Sequence, residues 1–112
     1  MIEQTDVRVL NIILEEIDRI VSLTSNHSLD EIRDNYVLSD SLEFEFQKMD
    51  YDLKRLSMEF RLNHPEFPFS EVKGIRNRVA HNYESVNFAI LFEIGNIDLP
   101  KLRITIIKIL ED

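Results

Sequence analysis

Residues 41–60 read SLEFEFQKMDYDLKRLSMEF, and in this stretch Leu42, Phe46, Met49, Leu53, Leu56 and Phe60 recur in steps of four and three. That spacing returns each side chain to one face of an α-helix, whereas a strand would alternate every second residue. It predicts a long helix over about 38–63. Phe44, Tyr51 and Met58, seven apart, fall roughly opposite the first stripe, so this helix is apolar on two faces and needs two partners. One partner is its own chain, and the second is more of that chain, a second protomer or another protein.

The same period extends outward in both directions. Val7, Leu10, Leu14, Ile17 and Val21 predict an amphipathic helix over about 6–24, with Thr5 or Asp6 as its cap. Ser28 followed by Glu31 is a capping-box pattern that starts a short helix ending near Tyr36. Downstream, Pro65 and Pro68 stop the long helix, because proline lacks an amide proton and biases its predecessor toward extended geometry. A helix restarts at Ser70 and runs to about Asn82. Another covers Val86 to Asn96, with Phe88, Leu91, Phe92 and Gly95 on one face. Asp98 as N-cap and Pro100 in the first turn open the last helix, which turns Leu102, Ile106, Ile109 and Leu110 inward. Thr105-Ile106-Ile107 suits a strand taken alone, but nothing pairs with it. The expectation is an all-α, up-and-down bundle of about five helices forming one domain over residues 1–112.

Composition narrows the chemistry. The 112 residues hold 13 Lys and Arg against 21 Asp and Glu, no Cys and 2 Gly, for a net charge of −8. Without cysteine there is no disulfide framework and no thiolate metal site, which fits a reducing cytoplasm. Two glycines leave no phosphate-cradling loop, and Gly74 has no companion glycines. No cationic-then-apolar leader opens the sequence, and no run reaches the roughly 18 apolar residues of a membrane span. A polyanion cannot grip nucleic acid over its whole surface, so any such contact must be local.

One segment supplies a local site. Residues 71–83 carry Lys73, Arg76 and Arg78 against a single acid, Glu71, inside a chain that is otherwise strongly acidic. On a regular helix Arg76, Ala80 and Tyr83 share a face and Asn77 and His81 share the next. Arg76 and His81, five apart, diverge by ~140°. They converge on one phosphate only if the arginine wraps round, the helix frays, or the two come from different subunits. Guanidinium binds phosphate oxygens in bidentate fashion and imidazole moves a proton near neutral pH, so the residue types suit phosphodiester cleavage. The plain alternative is a solvated helix surface with a histidine at its end. Elsewhere, His27 and His64 read as surface residues, Asp50 and Asp52 as divergent carboxylates on a solvated face, and Glu15-Glu16 and the Glu43/Glu45 pair as solvated too.

The run Arg76-Asn77-Arg78-Val79-Ala80-His81-Asn82-Tyr83 resembles the signature of HEPN domains, and more narrowly the Arg-x4-His-x-Tyr form of their HepT branch. Pro65-Glu66-Phe67-Pro68-Phe69 leading to Gly74-Ile75 is similar to the family's Pro-Trp stretch, with Phe69 where Trp is usual. Residues 87–102 resemble its closing helices, Phe92 again replacing Trp. The resemblance implies an all-α homodimeric toxin of a toxin–antitoxin pair, acting as an RNA endonuclease that uses no metal or other cofactor. The motifs of two protomers would then line one cleft, which resolves the divergence of Arg76 and His81. In that reading Arg76 binds the scissile phosphate, His81 transfers the proton, Asn77 orients the phosphate, and Lys73 and Arg78 hold RNA. The implied partner is an MntA-like minimal nucleotidyltransferase antitoxin that adenylylates the motif tyrosine, here Tyr83. Many members carry Gly-Glu where this chain has Asp50-Tyr51. That departure, with the acidic surface, keeps open a second reading: a non-catalytic HEPN module that binds such a nucleotidyltransferase.

Overall fold

In the computed structural model, which describes residues 2–81 and 87–111, seven α-helices and one π-helical turn make an all-α bundle. The helices are α1 (Gln4–Asn26), α2 (Leu29–Asp34), α3 (Tyr36–Leu53), α4 (Met58–Asn63), α5 (Phe69–His81), α6 (Phe88–Glu93) and α7 (Leu99–Glu111), with the π turn at Ile94–Asp98. At about 1.5 Å per residue, the 23 residues of α1 make a helix about three-quarters as long as the molecule's 45 Å greatest extent. Helix α1 packs along α3 on one side and against α7 and the π turn on the other, while α2 bridges α3 and α6.

The buried face of α1 is Val9, Leu10, Ile13, Ile17 and Ile20, so Leu14 and Val21 form its flank. The periodicity that marked the helix caught one edge of a wider stripe. Its cap also differs from expectation. Helix α1 starts at Gln4, and the Asp6 carboxylate instead accepts from the Ser57 N–H at 2.9 Å and from the Ser57 hydroxyl at 2.5 Å.

That contact explains why the long helix expected over 38–63 is two helices. Ser57 caps α4 by accepting from the Phe60 N–H at 3.0 Å, and Asp6 fixes Ser57 from across the core. The break leaves the apolar stripe intact, since Leu42, Phe46, Met49, Leu53, Leu56 and Phe60 are all buried. The opposite stripe, Phe44, Tyr51 and Met58, is exposed on the two pieces.

Ser28 and Glu31 form the capping box as expected, with bonds of 3.1 and 3.0 Å, and these bonds hold the Glu31 carboxyl below its ordinary value. Helix α2 then ends at Asp34, short of the predicted Tyr36. The Asn35 side chain accepts from the Val37 and Leu38 N–H groups and starts α3 at once, so Tyr36 belongs to α3.

The fifth expected helix does not end at Asn96, and Asp98 is not a cap. Helix α6 is capped by Asn87 and runs through the π turn directly into α7. Pro100 lacks an N–H and crowds the preceding turn, and a π turn is a wider turn that accommodates the missing bond. The Leu99 N–H accordingly reaches back to the Ile94 carbonyl. Gly95 lets this turn lie on α1: a Cβ there would stand 2.6 Å from Thr24 Cγ2. The predicted boundaries at Asn82 and Val86 fall outside the described residues.

Candidate active site

The Phe67–Phe69 segment sets where α5 begins. Phe67 is buried against Phe60 and Phe69 with ring centroids at 5.5 and 4.6 Å, and His64 stacks on Phe60 at 4.8 Å. His64 is thus part of an aromatic cluster rather than a plain surface residue. After Pro68 the Val72 N–H donates to the Pro68 carbonyl at 2.9 Å and the helix proceeds, with Val72 and Ile75 facing the core.

Around that buried edge the cations divide. Lys73 and Arg76, three apart, sit on the side of α5 that faces α3 and α4, where they line a cavity of about 200 Å³ with Phe69 and Arg61. Arg76 Nε donates to Asp50 Oδ1 on α3 at 3.0 Å, and Lys54 Nζ lies 3.1 Å from Asp50 Oδ2. Arg78 points to the other side. Its Nη2 donates to Asp98 Oδ2 at 2.9 Å beside a groove of about 660 Å³ between α5 and α7. Lys73 and Arg76 are therefore brought together, and Arg78 is held apart from them. Two residues along a helix turn through ~200°, which is the cause.

Asn77 is exposed on the same helix. The backbone of His81 closes α5, while the His81 side chain and all of Asn82 and Tyr83 lie outside the described residues. Sequence reading missed two members of this site, Asp50 and Arg61. Asp50 is 26 positions from Arg76, and no local spacing reports such a pair. The available signal was a carboxylate at a position where the resembling family carries glycine.

A second charged cluster lies behind the first. Glu16, Glu45 and Asp52, expected on solvated faces, are buried between α1 and α3. Glu45 Oε1 accepts from Arg19 Nε at 2.6 Å and lies 2.9 Å from Lys48 Nζ, while Asp52 pairs with Arg55 at 2.6 Å. Burial and the adjoining Asp52 carboxylate raise the Glu16 carboxyl to about 8. Asp50 and Asp52 do diverge, one toward Arg76 and the other toward Arg55. Among the described residues no group of three His, Asp or Glu side chains converges as a metal site requires. Nor is any helix there long and apolar enough to cross a membrane.

Fold and site together define an all-α bundle with a basic helix face on an acidic molecule. Within that class the chain belongs to the Ribonuclease HepT-like family, whose match spans residues 13–109. It is 25% identical over 100 residues to the Methanocaldococcus jannaschii protein named "Putative RNase MJ1216", covering 89% of this chain and 83% of that one. Identity reaches 31% over 108 residues with "Gamma-glutamylcyclotransferase and putative RNase MJ0434" of the same organism, where 96% of this chain covers 49% of the relative. With "Putative RNase TTE0752" of Caldanaerobacter subterraneus it is 26% over 99 residues, 88% of each chain. No solved structure matches.

Proposed function

We propose that this chain, as one domain over residues 1–112, is an endoribonuclease that works as a homodimer and requires no metal ion or other cofactor. The observation that carries the reading is the Lys73–Arg76 face, two cations over a cavity with no acidic wall, on the helix that ends at His81. Family membership and three relatives whose names read "putative RNase" support the same reaction class.

Arg76 binds the scissile phosphate and stabilises the charge that builds on it, and Asn77 orients it. Lys73 holds the adjoining strand, and Arg78, on the far side of the helix, steers RNA toward the cleft. The RNA 2′-hydroxyl attacks phosphorus, the 5′-oxygen departs, and His81 transfers the proton between them. The products are a 2′,3′-cyclic phosphate and a 5′-hydroxyl. Because positions 76 and 81 of a regular helix stand ~140° apart, the proposed site pairs the arginine of one protomer with the histidine of its partner. The exposed stripe of Phe44 and Tyr51 offers apolar surface for that dimer.

The biological role we infer is that of a cytoplasmic toxin paired with an MntA-like minimal nucleotidyltransferase antitoxin. Transfer of AMP from ATP to the Tyr83 hydroxyl, releasing pyrophosphate, would place phosphate charge near Arg76 and shut out RNA. The second reading, a non-catalytic module that binds such a nucleotidyltransferase, is favoured by one contact: Asp50 already sets a carboxylate against Arg76.

The test is cleavage of single-stranded RNA by purified protein in EDTA. The proposal expects cyclic-phosphate ends, unchanged rate with chelator, and at least ~100-fold loss in Arg76→Ala and in His81→Ala, in line with losing a charge-stabilising donor. Loss of cleavage in EDTA, or full activity in both variants, overturns the mechanism.

A further inference from the structure

The cavity between α3, α4 and α5 carries a ligand signature of its own. Its wall is apolar and aromatic, from Leu56, Phe67 and Phe69, and its polar rim is Arg61, Lys73 and Arg76. No acidic side chain lines it, in a chain of net charge −8. Arg61 lies over the Phe69 ring at 5.5 Å from its centroid. A guanidinium stacked by its face keeps its edge N–H groups free for an anion. Among the described residues neither Arg61 nor Lys73 is ion-paired. These two cations, Arg61 and Lys73, converge with Arg76, which Asp50 holds from outside the cavity, beside an apolar wall, and together form a receptor for an anion attached to an apolar body. The groove by Arg78 lacks this character, because Glu71 and Asp98 line it together with Arg78 and Lys101.

We propose that this cavity is a nucleotide subsite for single-stranded RNA, in which Arg61 and Lys73 hold the phosphodiester adjoining the one at Arg76. Its volume of about 200 Å³ is below the roughly 300 Å³ of common small-molecule pockets. It therefore takes one sugar or base edge against Phe69 and Leu56 rather than a whole free cofactor. The inference rests on the RNA reading above and adds Arg61, on α4, as a phosphate-binding contact away from the reacting atoms.

The experiment measures binding of a fluorescent 2′-O-methyl RNA hexamer, which lacks the nucleophilic hydroxyl and cannot be cleaved, across a range of salt. Each phosphate released from counterions contributes a slope of about 0.7 in log K against log salt for single strands. Arg61→Gln and Lys73→Gln are each expected to weaken binding about fivefold at 0.1 M salt and to lower the slope by about 0.7. Arg61→Lys, which keeps the charge, should keep the slope, and Lys108→Gln on the exposed side of α7 should change neither. Unchanged affinity and slope in both Gln variants, or no measurable binding by the native protein, overturns the subsite. Equal displacement of the hexamer by a poly-glutamate peptide also overturns it, by making the cavity a dock for acidic protein. Cleavage of all-ribose RNA is scored separately: native protein that binds the hexamer with the expected slope but cleaves nothing keeps the subsite and removes the nuclease.

Discussion

Glu16 faces α3 from α1 and Asp50 stands on α3 itself, and the two carboxylates differ in what surrounds them. Glu16 is buried between α1 and α3 beside Asp52, and it keeps its proton up to a pH of about 8. Asp50 is partly exposed, between Arg76 and Lys54. Burial converts the first into a neutral hydrogen-bonding group of the core, since an unpaired charge there is costly. Water leaves the second a charge that tempers Arg76 without removing it. The lesson is that an acid's effect on an RNA-binding face depends on depth and partner, not on the number of acids in the chain.

Replacing each carboxylate by its amide separates the two settings. Asp50→Asn leaves shape intact and removes the negative charge beside the proposed phosphate position. Affinity for the uncleavable hexamer should rise several-fold at low salt and converge with the native value at high salt, because partly exposed charges are screened. Melting should shift by only a few degrees, as expected for a partly exposed pair contributing about 1 kcal/mol or less. A fall in affinity would show that the carboxylate orients Arg76 more than it opposes RNA.

Glu16→Gln should leave RNA binding alone and change the pH dependence of stability, the smaller of the two effects. The folded state holds the Glu16 proton up to about 8, while the unfolded chain releases it near the ordinary value of 4.5. The fold thus binds the extra proton within that window. Its contribution is complete below 4.5 and is lost as pH rises to about 8. Thermal melts should show native protein losing stability across the window and the Gln variant following a flatter course. Parallel curves would mean that Glu16 is ionised in the fold.

The same distinction between local and distant causes explains what was legible in the sequence. The capping box at Ser28 and Glu31, the stop at Pro65 and Pro68, and the inward stripe from Leu42 to Phe60 depend on neighbours within a turn or two. Those were readable. The break between α3 and α4 was not, because Leu56 and Phe60 keep the helical phase across it. The contact that pins the break joins Asp6 to Ser57, 51 positions apart. Pro100 suggested a helix start at Asp98, but the same proline is accommodated by the π turn that carries α6 into α7. Glu45 read as solvated because its partner Arg19 lies on another helix. At the site, the local excess of cations over 71–83 singled out Lys73, Arg76 and Arg78 together, whereas Asp50 and Arg61 reach Arg76 and Lys73 from other elements.

The proposed pairing of Arg76 in one protomer with His81 of its partner is open to direct test. Co-expression of Arg76→Ala and His81→Ala chains bearing different tags, with purification through both tags, yields the mixed dimer directly. One intact Arg–His pair then spans its interface. This mixed dimer is expected to cleave RNA far faster than either homodimeric variant, at a rate of the same order as half the native enzyme. A mixed dimer as inactive as its two parents would contradict the pairing.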